Sequence, residues 1–469
     1  MDVVKTVSGH VSGTVLKEPE KPVYIYRGIP YAAPPIGDLR WKPPQPVAPW
    51  SGIRECTSFS VQPAQFPDIN LSNDEQKAPS SEDCLYLNIL TPANKDMDKL
   101  PVMVWFHGGA LRYWNGNLSL WNGPALPQHG VVLVTVNSRL GVLGLLVHPL
   151  LSHESPNSVS GNYMFLDMMA ALKWVNKNIT NFGGDPDNVT IFGESGGGTK
   201  VISLLASPLA KGLFHRAICE SGRIDLPPSP MQDLSEYGER LFDKLSIGDN
   251  QNALTAARVL SWEKIIEVDQ ALNVELGQQF VFRGCWNVAI DGWFMPDKPT
   301  NVFKSGNQNQ VPFLTLANLG EITGPGIVFT PQYIPGYISL LSAASRSNAK
   351  GYAGIFDHVP SNWRQEGCVA SHGMELHYVF GALDDQPSWK MVHFAYAIAG
   401  AKSPTPLITD GDRAVSESMM RLWTNFAKTG NPSLKGVADW PAYTETTDQY
   451  LYIGESLHVK SGFSKVAQK

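Results

Sequence analysis

The stretch NVTIFGESGGGTKVISLLAS, residues 188–207, joins an apolar run to a glycine-rich turn and then to a helix-compatible segment. The apolar run predicts a buried strand, and the glycines around Ser195 predict a turn in which backbone segments come too close for side chains. Ser195 stands at the centre of this turn, at the expected N-terminus of the helix. The pattern is typical of a strained strand-turn-helix unit that exposes a nucleophilic serine.

A glycine-rich turn before a helix is also typical of a phosphate-binding loop. Such a loop would carry lysine followed by serine or threonine after its last glycine, whereas Thr199 and Lys200 occur in the opposite order. The Gly-x-Ser-x-Gly pattern is short enough to occur by chance. Its assignment therefore depends on the elements that surround it.

Short apolar runs bounded by turn residues recur along the chain and predict buried strands. They are 102–106, 131–136, 189–192, 217–219, 313–316 and 352–356. Helical periodicity over about 164–181 and about 412–428 alternates with these runs. Strands that alternate with helices predict an α/β fold with a mostly parallel central sheet flanked by helices. Because no repeat or linker-like stretch interrupts the chain, we expect a single domain over residues 1–469.

Composition excludes several classes of function. Of the 469 residues, 43% are hydrophobic and 17% are charged, which predicts a large core. A net charge of -6, without any cluster of lysine and arginine, argues against a nucleic-acid partner. We also expect no membrane span, because no apolar run approaches the required length. The N-terminus lacks a signal-peptide core, so we expect a cytoplasmic location, or secretion if a signal was removed before the numbering begins.

A second glycine motif follows another predicted strand. The run PVMVWF, residues 101–106, leads into His107-Gly108-Gly109-Ala110. Small residues let backbone N–H groups approach a substrate oxygen that gains negative charge. Together with the N–H of Gly196, those of Gly109 and Ala110 are predicted to form an oxyanion hole. Without the serine turn, the same motif would indicate an ordinary turn after a strand.

A serine nucleophile needs a histidine base and a carboxylate that orients the histidine. His372 stands out among the later histidines because it lies in a short polar loop, Ala370 to Gly373, late in the chain. In a fold of this type the acid is expected between the serine and the histidine. Glu321, after the run PFLTLANLG, and Asp291, in AIDGW, both satisfy this order. Spacing alone does not decide which of the two carboxylates is the acid.

The motifs together resemble the type B carboxylesterase family, whose members have the α/β-hydrolase fold. The resemblance covers nearly the whole chain. It is carried by GIPYAAPPIGDLRW (28–41), SEDCLYLNI (81–89), WFHGGA (105–110), NSRLGVLG (137–144), LDMMAALKWVNKNITNFGGDPDNVTIFGESGG (166–197), AICESG (217–222), ANLGE (317–321) and ASHGMELHYVFG (370–381).

Position by position, the resemblance implies which residues act as nucleophile, acid and base and which form the oxyanion hole. The triad is Ser195, Glu321 and His372, and the oxyanion hole is formed by Gly109, Ala110 and Gly196. The resemblance thereby favours Glu321 over Asp291. No cofactor and no metal are implied.

The chain departs from the family pattern at several places. Ala110 stands where the third glycine of the oxyanion loop is usual, and Gly196 stands where alanine is usual. Neither change removes a backbone N–H. His372 follows Glu321 by only 51 positions, a shorter spacing than is usual, so we expect a more open site that accepts varied alcohol groups. The stretch immediately preceding SEDC contains no tryptophan, which argues against a specialist for choline esters.

The resemblance implies a carboxylic ester hydrolase that forms a covalent acyl-enzyme, acting on small-molecule esters with short to medium acyl groups. An acyltransferase or amidase could use the same site. A non-catalytic interaction module is a further alternative, but such relatives usually lack a triad residue. Glu194 and Ser221 fall where the family keeps polar residues near the triad, and structural hydrogen bonding explains them nearly as well.

Overall fold

The computed structural model describes residues 3–17, 21–65, 79–93, 98–224, 229–248, 252–277, 286–321, 333–347, 349–398 and 403–468. The strands are β1 Val3–Thr6, β2 Gly9–Ser12, β3 Thr14–Leu16, β4 Val23–Pro30, β5 Ile53–Glu55, β6 Gln62–Pro63, β7 Ser80–Ser81, β8 Tyr86–Thr91, β9 Leu100–Phe106, β10 Val132–Val136, β11 Gly184–Glu194, β12 Arg216–Glu220, β13 Ser229–Pro230, β14 Ala289–Ile290, β15 Phe313–Asn318, β16 Gly351–Phe356, β17 Gln449–Ile453 and β18 Leu457–Ser461.

The α-helices are α1 Ala125–Gln128, α2 Gly141–Leu145, α3 Pro149–Glu154, α4 Tyr163–Asn178, α5 Gly196–Ala206, α6 Met231–Lys244, α7 Ala253–Val259, α8 Trp262–Glu275, α9 Pro299–Lys304, α10 Ile334–Ser345, α11 Ser361–Gln365, α12 Glu375–Val379, α13 Lys390–Ile398 and α14 Asp410–Thr429. In the part of the chain that the structure describes, no helix is long and apolar enough to cross a membrane.

An eleven-stranded sheet organises the described residues. Its strand order is β18-β17-β16-β15-β12-β11-β9-β10-β8-β4-β3. Neighbouring strands from β17 to β10 run parallel, and the pairings at the two ends of the sheet are antiparallel. The six apolar runs predicted as strands are six adjacent members of the parallel part, from β16 to β10. The predicted α/β fold with a mostly parallel sheet is confirmed.

Apolar side chains cover both faces of the sheet, as strand β9 illustrates. Val102, Val104 and Phe106 pack on one face, in a cluster that includes residues of α4 and α5. Met103 and Trp105 pack on the other face, in a cluster that includes residues of α14. Because successive side chains point to opposite faces, a strand buried on both faces is a continuous apolar run. This burial explains why the strands could be predicted from apolar runs.

The two predicted helices end where glycine allows a left-handed backbone. After α4, a short 3₁₀ turn continues to Phe182 and ends at Gly183, whose φ is 79°. Helix α14 begins with Thr409, whose side chain and that of Asp412 cap each other's backbone N–H groups. It ends at Gly430, with φ of 75°. Capping at both ends fixes the lengths of helices that cover the sheet.

The parallel strands deliver the candidate residues to one edge of the sheet. Strands β9, β11, β12 and β15 end just before His107, Ser195, Ser221 and Glu321, respectively, or within a few residues of them. In open α/β sheets, sites form outside the carboxyl ends of the strands. The topology therefore gathers segments that are far apart in the chain.

Candidate active site

Ser195 occupies a sharp turn between β11 and α5. Its backbone has φ of 57° and ψ of -120°, a strained conformation for a residue with a side chain. The Ser195 N–H donates to the Glu220 carbonyl (2.9 Å), which fixes the turn to the next strand. From residue 189 to residue 207 every side chain is buried except that of Ser195. The predicted turn thus presents a single hydroxyl to the site.

The glycines beside Ser195 are required by close backbone packing. A Cβ atom at Gly193 would lie 2.6 Å from the Phe106 carbonyl oxygen, and one at Gly197 would lie 1.9 Å from the same oxygen. Both distances are far below normal van der Waals contact. The end of β9 therefore packs directly against the turn, and only glycine fits at these two positions.

The three predicted oxyanion residues lie together next to Ser195. Gly109 and Ala110 have φ of 88° and 53°, so the loop after β9 is left-handed at both positions. A Cβ atom at Gly196 would lie 3.0 Å from the backbone nitrogen of Ala110. The backbone nitrogens of the loop thus reach the first residue of α5. This close approach also explains why glycine follows the serine here.

His372 and Glu321 are in direct contact. Nδ1 of His372 lies 2.5 Å from Oε2 of Glu321, whose side chain is fully buried. The other carboxylate oxygen accepts hydrogen bonds from the backbone N–H of Asn318 (2.8 Å) and from the hydroxyl of Ser221. Gly320 also donates to the Ala370 carbonyl (2.7 Å), which joins the two loops. The acid is therefore held rigidly against one nitrogen of the imidazole.

The second imidazole nitrogen faces a different carboxylate. Nε2 of His372 lies 3.1 Å from Oε1 of Glu194, without an aligned hydrogen bond. Among the contacts of the described residues, none joins this nitrogen to the hydroxyl of Ser195. Burial alone would lower the pKa of His372, but Glu194 and Glu321 raise it to about 9. Burial raises the pKa of Glu194 to about 7, and His372 opposes that shift.

Asp291, the alternative acid, has a different role. Its carboxylate accepts hydrogen bonds from Asn162 (3.0 Å) and from the backbone N–H groups of Trp293 (3.0 Å) and Met295 (2.9 Å). These contacts hold a turn after β14. The structure brings Glu321, and not Asp291, to His372.

Two further buried glutamates near the site were missed by the sequence reasoning. Glu220 accepts from the indole N–H of Trp423 (2.5 Å), and Glu375 accepts from the side chain of Asn318 (2.6 Å). Burial raises the pKa of Glu220 to about 8, and burial with neighbouring carboxylates raises that of Glu375 well above its ordinary value. The strand register contained a signal for Glu220, because it pairs with Glu194. Glu375, the other missed glutamate, lies three residues after His372.

A pocket opens beside the oxyanion loop. It is lined by Arg112 and Tyr113 from the loop and by Asp269 from α8, among others. The Gly141 N–H donates to the Leu111 carbonyl (2.8 Å), which connects the pocket wall to the loop. The Arg112 guanidinium lies 3.9 Å from the Asp269 carboxylate. The pocket therefore combines apolar walls with one charged pair.

Comparison with known proteins agrees with this geometry. The model of the carboxylesterase family matches residues 1–332 and 330–468. Fumonisin B1 esterase of Sphingopyxis macrogoltabida is 40% identical, over 93% of this chain and 84% of its own length. Para-nitrobenzyl esterase of Bacillus subtilis (strain 168) is 32% identical, over 98% of this chain and 96% of its own.

Solved structures give the same result for the fold. A thermophilic PNB esterase superposes with a TM-score of 0.83 at 30% identity, covering 98% of this chain and 97% of that chain. A second PNB esterase gives a TM-score of 0.80 at 30% identity with the same coverage. The chain therefore belongs to the carboxylesterase family, as a serine carboxylesterase of the α/β-hydrolase fold.

Proposed function

We propose that Ser195, His372 and Glu321 form the catalytic triad of this carboxylesterase, with an oxyanion hole of Gly109, Ala110 and Gly196. Ser195 Oγ attacks the ester carbonyl carbon while His372 takes its proton. The oxyanion accepts hydrogen bonds from the backbone N–H groups until the C–O bond breaks and the alcohol leaves with the proton. Water then attacks the acyl-enzyme by the same route and releases the acid.

The observation that carries this proposal is the contact of 2.5 Å between His372 Nδ1 and Glu321 Oε2. With Nδ1–H donating to the buried carboxylate, Nε2 becomes the nitrogen that can accept a proton. It must turn from Glu194 towards the hydroxyl of Ser195 when substrate binds. Catalytic hydrogen bonds are commonly long or misaligned without substrate and tighten in the complex.

The substrates that we propose are carboxylic esters with short to medium acyl groups. The short spacing of 51 positions from Glu321 to His372 supports tolerance of varied alcohol groups. Two relatives are named as esterases of fumonisin B1 and of para-nitrobenzyl esters, which are unlike each other.

Hydrolysis of p-nitrophenyl esters of increasing acyl length tests the proposal. We expect the highest kcat/KM with short acyl groups, and a fall of about 10⁴-fold or more for Ser195→Ala. Ser203→Ala is the matched control, because this buried hydroxyl donates only to the Thr199 carbonyl (2.8 Å) within α5. Activity in Ser195→Ala equal to that of the parent enzyme would refute the assignment of the nucleophile.

The acceptor of the acyl group can be tested in the same assay. Added alcohols or amines compete with water for the acyl-enzyme, and the ratio of products measures the preference. We expect free acid to predominate at all acceptor concentrations below the molar range. Predominant transfer to an amine or alcohol would instead identify an acyltransferase that uses the same residues.

A further inference from the structure

Lys200 is a buried cationic residue that the proposed mechanism does not use. It lies on α5, five residues after Ser195, and its side chain has no exposed surface. Its Nζ atom donates to the His107 carbonyl at 2.9 Å. Within the described part of the chain, no carboxylate forms an ion pair with it. An uncompensated buried charge is costly, so a lysine at this position calls for a functional reason.

The carbonyl that Lys200 binds belongs to the first residue of the oxyanion loop, residues 107–110. His107 follows β9 directly, and only Gly108 separates it from Gly109 and Ala110. The third oxyanion N–H belongs to Gly196, the first residue of the helix that carries Lys200. The hydrogen bond therefore connects the two segments that supply the N–H groups.

The other contacts between these segments give less directional restraint. The β9–β11 ladder ends at the pair of Phe106 and Gly193, and beyond it the contacts with the glycines of the turn are close van der Waals packing between backbone atoms. Such packing prevents the loop from moving towards α5, but it does not prevent movement away from the helix. A hydrogen bond of 2.9 Å from the helix to the loop opposes that movement. The loop is also strained at Ala110, whose φ is 53°, so it needs external restraint.

We propose that Lys200 is a positioning residue of the oxyanion hole, which holds the loop at Gly109 and Ala110 in register with the N–H of Gly196. The inference rests on the proposed function, since it assigns a purpose to the same three N–H groups. It explains why a long, polar side chain is retained in the interior. Lys200 does not touch the substrate; it acts through the His107 carbonyl.

The hydrogen bond is maintained in both protonation states of the lysine. Burial lowers the pKa of Lys200 to about 7, and both the amine and the ammonium group carry N–H donors. Burial and the neighbouring Lys200 also lower the pKa of His107 well below its ordinary value. The imidazole of His107 thus stays neutral and adds no second charge beside the lysine.

Lys200→Met tests the inference, because it keeps most of the side-chain volume and removes the donor. We expect kcat to fall about 10- to 100-fold, since small displacements of catalytic groups have effects of this size, with KM changed less than about twofold. Affinity for a trifluoromethyl ketone, which forms a tetrahedral oxyanion on the serine, should fall by the same factor as kcat. The melting temperature should change little, because removal of a buried charge and loss of the donor to the His107 carbonyl act in opposite directions.

Active-site titration with a fluorophosphonate counts the folded active sites, and each rate is divided by that number. Partial misfolding therefore cannot imitate a fall in kcat. Ser203→Ala, one turn further along α5, is the matched control and should behave as the parent enzyme. Unchanged kcat per titrated site in Lys200→Met would overturn the inference. So would a loss of kcat without any loss of affinity for the ketone. If Ser195→Ala remains active, the proposed function fails first. If Ser195→Ala is inactive and Lys200→Met keeps the parental kcat, this inference alone fails.

Discussion

The two halves of the site are held in place by different forces. The nucleophile half, residues 193–197 with the loop 107–110, is fixed by close contacts between backbone atoms. At Gly197, for example, an added Cβ atom would lie only 1.9 Å from the Phe106 carbonyl oxygen. The acid-base half consists of the side chains of Glu194, Glu321 and His372, which are fixed by charge and hydrogen bonds in a buried setting. The nucleophile half is therefore sensitive to any added atom, whereas the charges of the acid-base half change with pH.

The acid-base half makes stability depend on pH in a definite direction. The pKa of His372 is raised from about 6.5 to about 9, so the stabilisation from its charged form is complete below pH 6.5. It is lost as the pH rises through about 9. The backbone contacts of the nucleophile half do not titrate, because they join uncharged atoms.

Among the substitutions that test this comparison, the largest expected effect comes from Gly197→Ala, which disrupts the nucleophile half. The added Cβ would meet the rigid Phe106 carbonyl oxygen, so the end of β9 and the turn must separate. We expect a loss of about 3 kcal/mol or more in the free energy of unfolding and at least a 100-fold loss of kcat/KM. Urea denaturation and ester hydrolysis measure the two quantities.

Gly123→Ala is the control for this substitution. No heavy atom lies within 4 Å of the Cβ position at Gly123, and the residue does not need a positive φ. It should retain parental stability and activity. A Gly197→Ala enzyme that matched it would show that the two segments can move apart without harm, contrary to the steric account.

A smaller effect is expected from Glu194→Gln, which alters the acid-base half. Removing this carboxylate lowers the pKa of His372, because the negative charge no longer favours the imidazolium. The base must be neutral to accept a proton, so activity should persist to lower pH. We expect the acidic limb of the kcat/KM profile to move down by about one pH unit. A neutral ester as substrate avoids titration of the ligand.

Glu220→Gln is the matched control, since Glu220 pairs with Glu194 in the strand register but is not among the groups that shift the pKa of His372. Because the carboxylates of Glu220 and Glu194 interact, the acidic limb of its kcat/KM profile should move less than that of Glu194→Gln. An acidic limb that stays in place, or moves to higher pH, in Glu194→Gln would contradict the electrostatic account of the acid-base half.

The smallest expected effect is that of Ala110→Gly, which relaxes the nucleophile half without breaking it. Ala110 has φ of 53°, a region where glycine is not strained. Activity should be kept, because the backbone N–H remains. The free energy of unfolding should rise by no more than about 1 kcal/mol. A large loss of kcat would indicate that the methyl group itself contacts the substrate.

Some features of the site followed directly from the sequence. The strands were predictable because burial on both faces requires continuous apolar runs. The turn at Ser195 was predictable because only glycine fits beside the serine. Glu321 could not be separated from Asp291 by spacing, since each is a carboxylate near the end of a predicted strand. Only the resemblance to a family favoured Glu321. The contact with His372 depends on two loops that are joined in space.

The sequence by itself determined the parallel sheet, the exposed serine turn and the membership of the carboxylesterase family, because these depend on local patterns and on ordered motifs. The tertiary structure alone decided the surroundings of the base. It brought Glu194 to Nε2 of His372, buried Glu375 behind the site and directed Lys200 to the His107 carbonyl. The physical reason is that desolvation and charge act through space, between residues whose separation in the chain carries no information about their distance.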